Sequence, residues 1–397
     1  MDDQARWSRV HHQRRRNFLL LYLLDIQDLR FRELLDDEGR LRRDRRIPRI
    51  ALLSPTDSPW AKLYASGNNQ ALITTTGFDH KSFRTLVELF APWFKGNTPW
   101  TGKQDGTTFK KLSKYTHGRS RIIDTETCVG LVLTWYRFRG GEFVLQGWFG
   151  FTANHANVWL RFGRRGLLKV LSGHPLARVE FPSSTEQVHL LCKLVELRHN
   201  MLPDVAFVMD GVKLMFEKAE DLDEQSMYYN GWTHDHYITN VFCFGADGTM
   251  VAAAVNAPGS MHDSTIAEYG SIYSQLEDIY QRTGAKCCVD SAFSAAERPY
   301  IVKSSENVLR AGSPEQLIQQ EQATSLRQAS EWGMRVVQSA FCRLKDRIHL
   351  EDNGERRVFL LLMPLLYNIR LNLVGLNQLR NTYVPMWSVD SSYFIHK

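Results

Sequence analysis

Two aspartates stand directly after apolar, strand-like segments of this 397-residue chain. Asp210 follows the run 205–209 and precedes Gly211, and Asp290 follows the run 286–289. Short apolar runs that stop at such residues are typical of buried strands. If the two strands are neighbours in a sheet, their carboxylates emerge side by side at one edge, where ligands of open α/β sheets collect.

Paired carboxylates at such an edge could hold hard divalent cations. Two like charges forced together repel unless a cation neutralises them. Mg²⁺ prefers one or two carboxylates, with waters and phosphate oxygens completing its shell. A third acid from a packed helix would complete a two-ion site for phosphodiester chemistry. For either aspartate alone, a plain turn or a helix N-cap stays open as the alternative.

The elements that must position these acids form an α/β pattern. Strand-like runs are predicted at 205–209, 237–244, 249–255 and 286–289. A hairpin turn at 245–248 joins the second run to the third, and a helix over 264–282 leads to the fourth. Helical sequence follows at 316–344 and 356–372, with a kink or break predicted at Pro364.

The sequence upstream of residue 201 is helical. Helices are predicted over 13–35, 81–94 and 184–201, with a turn-rich boundary over 95–122. Three further helices at 127–138, 142–149 and 155–171, with a tight turn before the last, have the outline of a helix-turn-helix unit. Any packing of three helices gives the same outline, so that alternative stays open. The last helix is basic and favours DNA contact through Arg161, Arg164, Arg165 and Lys169.

Composition and charge are those of a globular protein, with 43% hydrophobic and 23% charged residues and a net charge of +6. Arginines crowd the first fifty residues, which predicts either a solvated face or a phosphate-binding surface. The six cysteines lack C-x-x-C spacing, which disfavours a zinc site or a disulfide framework. No run of 18 apolar residues occurs and the opening Met1-Asp2-Asp3 is acidic, so we expect neither a membrane partner nor a signal peptide.

Four blocks of the sequence resemble the DDE superfamily endonuclease domain, and most closely that of PIF/Harbinger-type transposases. They are Met209–Gly211, Ala257–Ser264, Val289–Phe293 and Val336–Lys345. The second block contains the PGSxHDS pattern, which is the most specific of the four. The resemblance extends over residues 200–375 and more loosely over 124–171, whereas residues 1–110 are similar only in being helical and basic.

This resemblance implies an RNase H-like fold that hydrolyses phosphodiester bonds at transposon ends and joins strands into target DNA. It also implies Mg²⁺ or Mn²⁺ as the cofactor, with two ions expected. Position by position, Asp210 is the first acid and Asp290 the second. Asp263 of the PGSxHDS block is a supporting residue or an alternative metal ligand.

The third acid departs from the family pattern, because Gln338 stands where the family has a glutamate. Glu331 lies two helical turns earlier on nearly the same face, and we predict it as the third catalytic and metal-binding acid. Glu321 and an inactive site stay open as alternatives. Nearby basic side chains that could contact DNA, or else be plain surface charges, are Arg335, Arg343 and Lys345.

The predicted organisation is a helical, basic region (1–110), a helix-turn-helix-like DNA-binding segment (120–200), an RNase H-like endonuclease domain (201–380) and a tail (381–397). The resemblance implies double-stranded DNA as substrate, a Myb-like DNA-binding partner, and action in the nucleus, or residence in the cytoplasm until a partner imports the protein. A homo-oligomer stays open. So do two other functions: a domesticated, inactive DNA-binding or scaffold protein, and a nuclease acting on RNA or general DNA.

Overall fold

The computed structural model describes residues 47–99, 110–111, 121–141, 143–217, 222–303, 312–348 and 353–384. The helix predicted over 13–35, the arginines before residue 47 and the tail beyond residue 384 lie outside these described residues. So does much of the predicted boundary over 95–122, in which a short antiparallel ladder joins β1 (Asn97–Thr98) to β2 (Lys110–Lys111).

The first described helices are α1 (Pro59–Ala65), α2 (Asn69–Thr76) and α3 (His80–Gly96). The helix predicted over 81–94 is confirmed by α3. It begins where the Asp79 carboxylate accepts the backbone N–H of Ser82 at 2.8 Å, which satisfies one unpaired donor of the first turn. Its apolar face, which includes Phe83 and Phe90, is buried.

The three helices predicted next are also confirmed, as α4 (Thr125–Arg137), α5 (Phe143–Phe149) and α6 (Ala153–Leu171). The Asp124 carboxylate caps α4 by accepting the N–H of Thr127 at 2.7 Å. α4 is apolar on all sides and is buried at almost every position, because α3 and α6 pack around it. The amphipathic helix predicted over 184–201 is α7 (Thr185–Glu196).

One mixed sheet follows. Its strands are β3 (Val205–Met215), β4 (Tyr229–Asn230), β5 (Asp235–Gly245), β6 (Met250–Pro258), β7 (Lys286–Val289) and β8 (Ile301–Val302). β3 is central, with antiparallel β5 on one side and parallel β7 on the other. β4 and β6 pair antiparallel with the outer edge of β5, and β8 pairs parallel with β7. The predicted order of two-stranded hairpin, helix and strand after the first strand is confirmed.

The prediction that the first strand stops at Asp210 is wrong. β3 continues for six residues from Asp210 to Met215, because β5 pairs with it as far as Met215 opposite Tyr237. On its other side the parallel ladder with β7 ends at Met209 opposite Val289. Asp210 therefore lies inside a strand, at the point where the strand loses one of its two neighbours.

The helices of the sheet region are α8 (Leu222–Tyr228), α9 (Asp263–Tyr269), α10 (Ile272–Thr283), α11 (Pro314–Ala340), α12 (Asn353–Val374) and α13 (Gln378–Tyr383). Three predictions need correction. The helix over 264–282 is two helices, because Ser271 has a left-handed backbone (φ 57°) that breaks the run. The helix over 316–344 ends at Ala340, and a 3₁₀ turn follows over Cys342–Lys345. The predicted break at Pro364 is wrong because α12 runs through this residue, and the alternative of a kink there stays a prediction.

α12 joins the helical part of the chain to the sheet. It packs on α6 and α3 on one side and on β6 on the other, and the buried apolar residues from Trp60 to Val384 form one continuous core. Among the described helices, α12 alone is long and apolar enough to cross a membrane by length and composition. Because 56% of its most apolar window is buried, that composition is accounted for by packing inside the protein.

Candidate active site

Asp210 and Asp290 are brought together by the parallel pairing of β3 with β7. Met209 lies opposite Val289 in this ladder, so the next residue of each strand is an aspartate. β7 ends there, and the Asp290 carboxylate turns back to accept the N–H of Ala292 at 2.8 Å. β3 and β7 are neighbours in the sheet, which is the condition under which the sequence predicted that these two acids lie side by side.

The pKa of the Asp210 carboxyl is shifted. Burial raises it, the hydrogen bonds from Gly211 and Ser330 lower it, and the charges of Asp290 and Asp263 raise it, so that its pKa is about 6. The N–H of Gly211 donates to Oδ1 at 2.8 Å. The Ser330 hydroxyl lies 3.3 Å from Oδ2 and 2.7 Å from the carbonyl oxygen of its own helix at position 327, so one proton serves two acceptors.

Asp263 is the third carboxylate in this neighbourhood. It is the first residue of α9, and its carboxylate lies against the α-carbon of Gly211, where a Cβ would be 2.4 Å from Oδ2. Burial raises the pKa of Asp263, Lys213 lowers it, and the charge of Asp290 raises it. The charge of Asp263 thus raises the pKa of Asp210, and the charge of Asp290 raises the pKa of both acids.

Glu331 is on the helix that packs against Asp210, but Ser330 is the residue of α11 that contacts this acid. Glu331 instead forms an ion pair with Arg327 of the same helix, with Nη2 and Oε1 3.5 Å apart and both side chains partly exposed. Gln338 is partly buried two turns later, and Glu321 is exposed. The charges of Asp263 and Asp290 thus both raise the pKa of Asp210, whereas Glu331 is paired with Arg327.

The donor set suits a hard divalent cation. Carboxylate oxygens are the ligands that Mg²⁺ and Mn²⁺ prefer. The pKa values of Asp210 and Asp263 are raised first by burial and also by the charge of Asp290, and a bound cation would favour the charged form of both acids. Among the described residues, no three His, Cys, Asp or Glu side chains are close enough together to hold one ion as they stand. A site of two carboxylates completed by water and phosphate oxygens is compatible with this arrangement.

The basic residues of α6 divide into two groups. Arg161 and Lys169 are exposed. Arg164 is buried and pairs with Glu355 of α12 at 2.9 Å, and Arg165 contacts the other oxygen of the same carboxylate. The prediction that Arg164 and Arg165 contact DNA is therefore corrected, because both guanidiniums face the inside of the protein.

The basic residues near the end of α11 lie at its surface. Arg335 and Lys345 are exposed. Arg343 is half-buried: its guanidinium lies over the ring of Trp135 and donates to the carbonyl oxygen of Gly140 at 3.0 Å. Arg335 and Lys345 are thus accessible to a ligand, whereas Arg343 also holds α11 against the end of α4.

Two residues of the site were missed by sequence reasoning. Ser330 carries a signal that could have been found, since it is a small polar residue on the buried face of α11, in line with Leu326 and Gly333. Gly211 could not have been found, because its contact is with Asp263, which lies far away in sequence on another element.

Comparisons with known proteins bear on the segment that builds this site. Neither the curated proteins nor the solved structures show significant similarity to the chain. The segment from residue 209 to residue 363 matches the family model of the DDE superfamily endonucleases. This segment begins one residue before Asp210 and includes Asp263, Asp290 and Glu331. The part of the chain that builds the candidate active site is therefore similar to a DDE superfamily endonuclease domain.

Proposed function

We propose that this protein is a divalent-metal-dependent DNA endonuclease of the PIF/Harbinger transposase type, which cleaves phosphodiester bonds at transposon ends and joins strands. The observation that carries the proposal is that the pairing of β3 with β7 sets Asp210 and Asp290 side by side inside the segment that matches the endonuclease family. An RNase H-like core is supported by the mixed sheet, which has the first acid on its central strand and the second at the end of the adjacent parallel strand.

Each residue has a proposed role. Asp210 and Asp290 would hold Mg²⁺ or Mn²⁺, and Asp263 or Glu331 would supply the third carboxylate. Bound ions of this kind activate a water or a 3′-hydroxyl and stabilise the leaving oxyanion. Gly211 and Ser330 hold the Asp210 carboxylate in place by donating to its two oxygens.

Cleavage of supercoiled plasmid in Mg²⁺ or Mn²⁺ tests the proposal. We expect the wild-type protein to nick or linearise the plasmid, and Asp210→Asn and Asp290→Asn to lose this activity while they still fold and bind DNA. Asp278→Asn is the matched control, because Asp278 is an exposed helix residue paired with Arg282. Retained cleavage in either active-site variant would contradict the proposal.

The same assay assigns the third carboxylate. Loss of cleavage in Glu331→Gln but not in Asp263→Asn would place Glu331 in the site, which requires it to leave Arg327. The reverse result would assign the role to Asp263, which already contacts the pair electrostatically.

The second candidate function is that of a domesticated, inactive DNA-binding or scaffold protein. It is favoured by Gln338 and by the ion pair that occupies Glu331. Thermal stability measured with and without Mg²⁺ or Ca²⁺ separates the two functions. A functional site predicts metal-dependent stabilisation, because a ligand that binds only the folded state shifts the unfolding equilibrium. An inactive site predicts little change.

The substrate and partners are also proposed. The exposed basic residues Arg161, Lys169, Arg335 and Lys345 would contact the phosphates of double-stranded DNA. A nuclear location and a Myb-like partner that supplies additional DNA recognition remain part of the proposal by analogy with PIF/Harbinger elements. A nuclease for RNA or general DNA is separated from a transposase by a panel of substrates.

A further inference from the structure

We propose that Gly211 is a positioning residue, which seats the carboxylate of Asp263 against β3 at the residue that follows Asp210. The inference rests on the proposed function and deepens it by naming a residue without ionisable groups that sets the geometry of the site.

Gly211 contacts two of the three acids through different atoms. Its N–H donates to Oδ1 of Asp210 at 2.8 Å, and its α-carbon lies under the carboxylate of Asp263. A Cβ at this position would be 2.4 Å from Oδ2, 2.6 Å from Cγ and 2.9 Å from Oδ1 of Asp263. All three carboxylate atoms thus occupy the space that any other residue would fill with its side chain.

The chain that delivers Asp263 is held by a second close approach. The turn after β6 lies on the backbone of β5 and α8, where a Cβ on Gly259 would be 2.4 Å from the carbonyl oxygen of Tyr237 and 2.6 Å from that of Tyr228. The Asn230 amide donates to the Gly259 carbonyl oxygen at 2.9 Å. The PGSxHDS block therefore contains a glycine that lets the turn lie flat on the sheet.

The start of α9 is also tied to the loop that follows Asp290. The Ser264 hydroxyl lies 3.0 Å from the Tyr273 hydroxyl and accepts the N–H of Ser294 at 3.3 Å. The residue after Asp263 thus bonds to the segment that carries Asp290. The hydrogen bond to Ser294 holds the start of α9 in place on one side of Asp263. On the other side, the Asp263 carboxylate fills the space above the α-carbon of Gly211.

Mn²⁺ binding to the full-length protein tests the role of Gly211 by titration calorimetry. The variants are Gly211→Ala, Asp263→Asn and the double variant. Displacing a supporting contact typically weakens metal affinity on the order of 10- to 100-fold, so we expect each single variant to lose about that much. Because Gly211 acts through Asp263, the double variant should bind no more weakly than the weaker of the two single variants.

The control is Gly231→Ala, since a Cβ on Gly231 meets nothing within 4 Å, and we expect it to bind Mn²⁺ as the wild type does. Wild-type affinity in Gly211→Ala would overturn the inference, and so would losses that multiply in the double variant. Absence of Mn²⁺ binding in the wild type would instead contradict the proposed function itself, and the inference would fall with it.

Folding is measured separately by thermal unfolding in EDTA. Gly211→Ala should stay folded, because the group it displaces is the end of a side chain and not backbone. If it does not fold, Gly211→Ala combined with Asp263→Ala decides the matter. Recovery of folding would establish the contact between the two positions, and a double variant that is still unfolded would overturn it.

Discussion

Burial of the Asp210 side chain disfavours the charged form of its carboxyl group. Its carboxylate is largely removed from water and lies beside two other acids, and two hydrogen bonds only partly offset this, so its pKa rises to about 6. Functional carboxylates often have raised pKa values of this kind. A bound cation stabilises the charged form and so offsets the unfavourable effect of burial and of neighbouring negative charges. We therefore expect the ionised Asp210 carboxylate to lower the free energy of unfolding of the metal-free protein by a measurable amount.

The first prediction concerns the stability of Asp210→Asn in EDTA. The folded-state pKa is raised above the value of 3.8 for an ordinary aspartate, so folding favours the protonated acid. The stability from this group is therefore complete below pH 3.8 and is lost as the pH rises through about 6. We expect Asn at this position to become more stable than Asp by up to about 3 kcal/mol above pH 6, and by little near pH 4.

Urea unfolding of both proteins between pH 4 and pH 8 gives this difference directly, since other titrating groups cancel in the comparison. Asp278→Asn serves as the exposed control, and its difference from wild type should not rise in this range. A constant difference for Asp210→Asn across the same range would show that its pKa is not raised by folding.

At the scale of elements, α6 is held to α12 by one buried carboxylate. Glu355 contacts Arg164 at 2.9 Å and also Arg165, and Arg164 lies over the ring of Trp135. The basic residues that made α6 resemble a DNA-reading helix thus serve in part to dock it against the helix that supports the sheet. The helix can present to DNA only the face that carries Arg161 and Lys169.

The second prediction is that Glu355→Gln destabilises the protein by about 3–5 kcal/mol, because it removes the negative partner from two guanidiniums inside the protein. Glu196→Gln is the matched control. It removes an exposed pair with Lys193, and such pairs contribute less than about 1 kcal/mol. Chemical denaturation of both variants measures the difference, and equal effects would mean that the buried pair does not dock α6 to α12.

At the scale of the whole molecule, a phosphate-binding surface would combine residues from two separate regions. Arg335 and Lys345 lie near the end of the helix that packs on Asp210, and Arg161 and Lys169 lie on α6. The continuous core through α12 connects these regions. A DNA substrate that contacted both regions would bridge the helical part of the chain and the sheet.

The third prediction is that Arg335→Ala and Lys345→Ala weaken DNA binding by similar factors for all sequences, because phosphate contacts carry no sequence information. Each should also lower the salt dependence of the affinity by about one unit in the log–log slope. Binding measured from 50 to 200 mM salt tests this. Arg84→Ala on the exposed face of α3 is the control, and an equal loss in that variant would show that the effect is one of net charge alone.

The sequence by itself determined the local elements and the identities of the paired acids. Hydrophobic periodicity predicted α3, α4, α6 and α7, and short apolar runs predicted the strands. Both patterns depend only on residues that are close in sequence. The positions of Asp210 and Asp290 directly after such runs predicted that the two acids would lie side by side if their strands were neighbours, and the parallel pairing of β3 with β7 makes the strands neighbours. The helix predicted over 264–282 is broken where Gly270 ends α9 and Ser271 takes a left-handed backbone, and the glycine was the signal for this break in the sequence.

The tertiary structure decided what depends on distant neighbours. β3 extends past Asp210 because β5 continues to pair with it, and no property of the residues around 210 specifies that partner. Arg164 and Arg165 face inward because Glu355 comes from a helix some 190 positions later. The Asp263 carboxylate lies against β3 because Gly211 has no side chain there. Periodicity records which face of an element is buried, whereas only packing decides what that face meets.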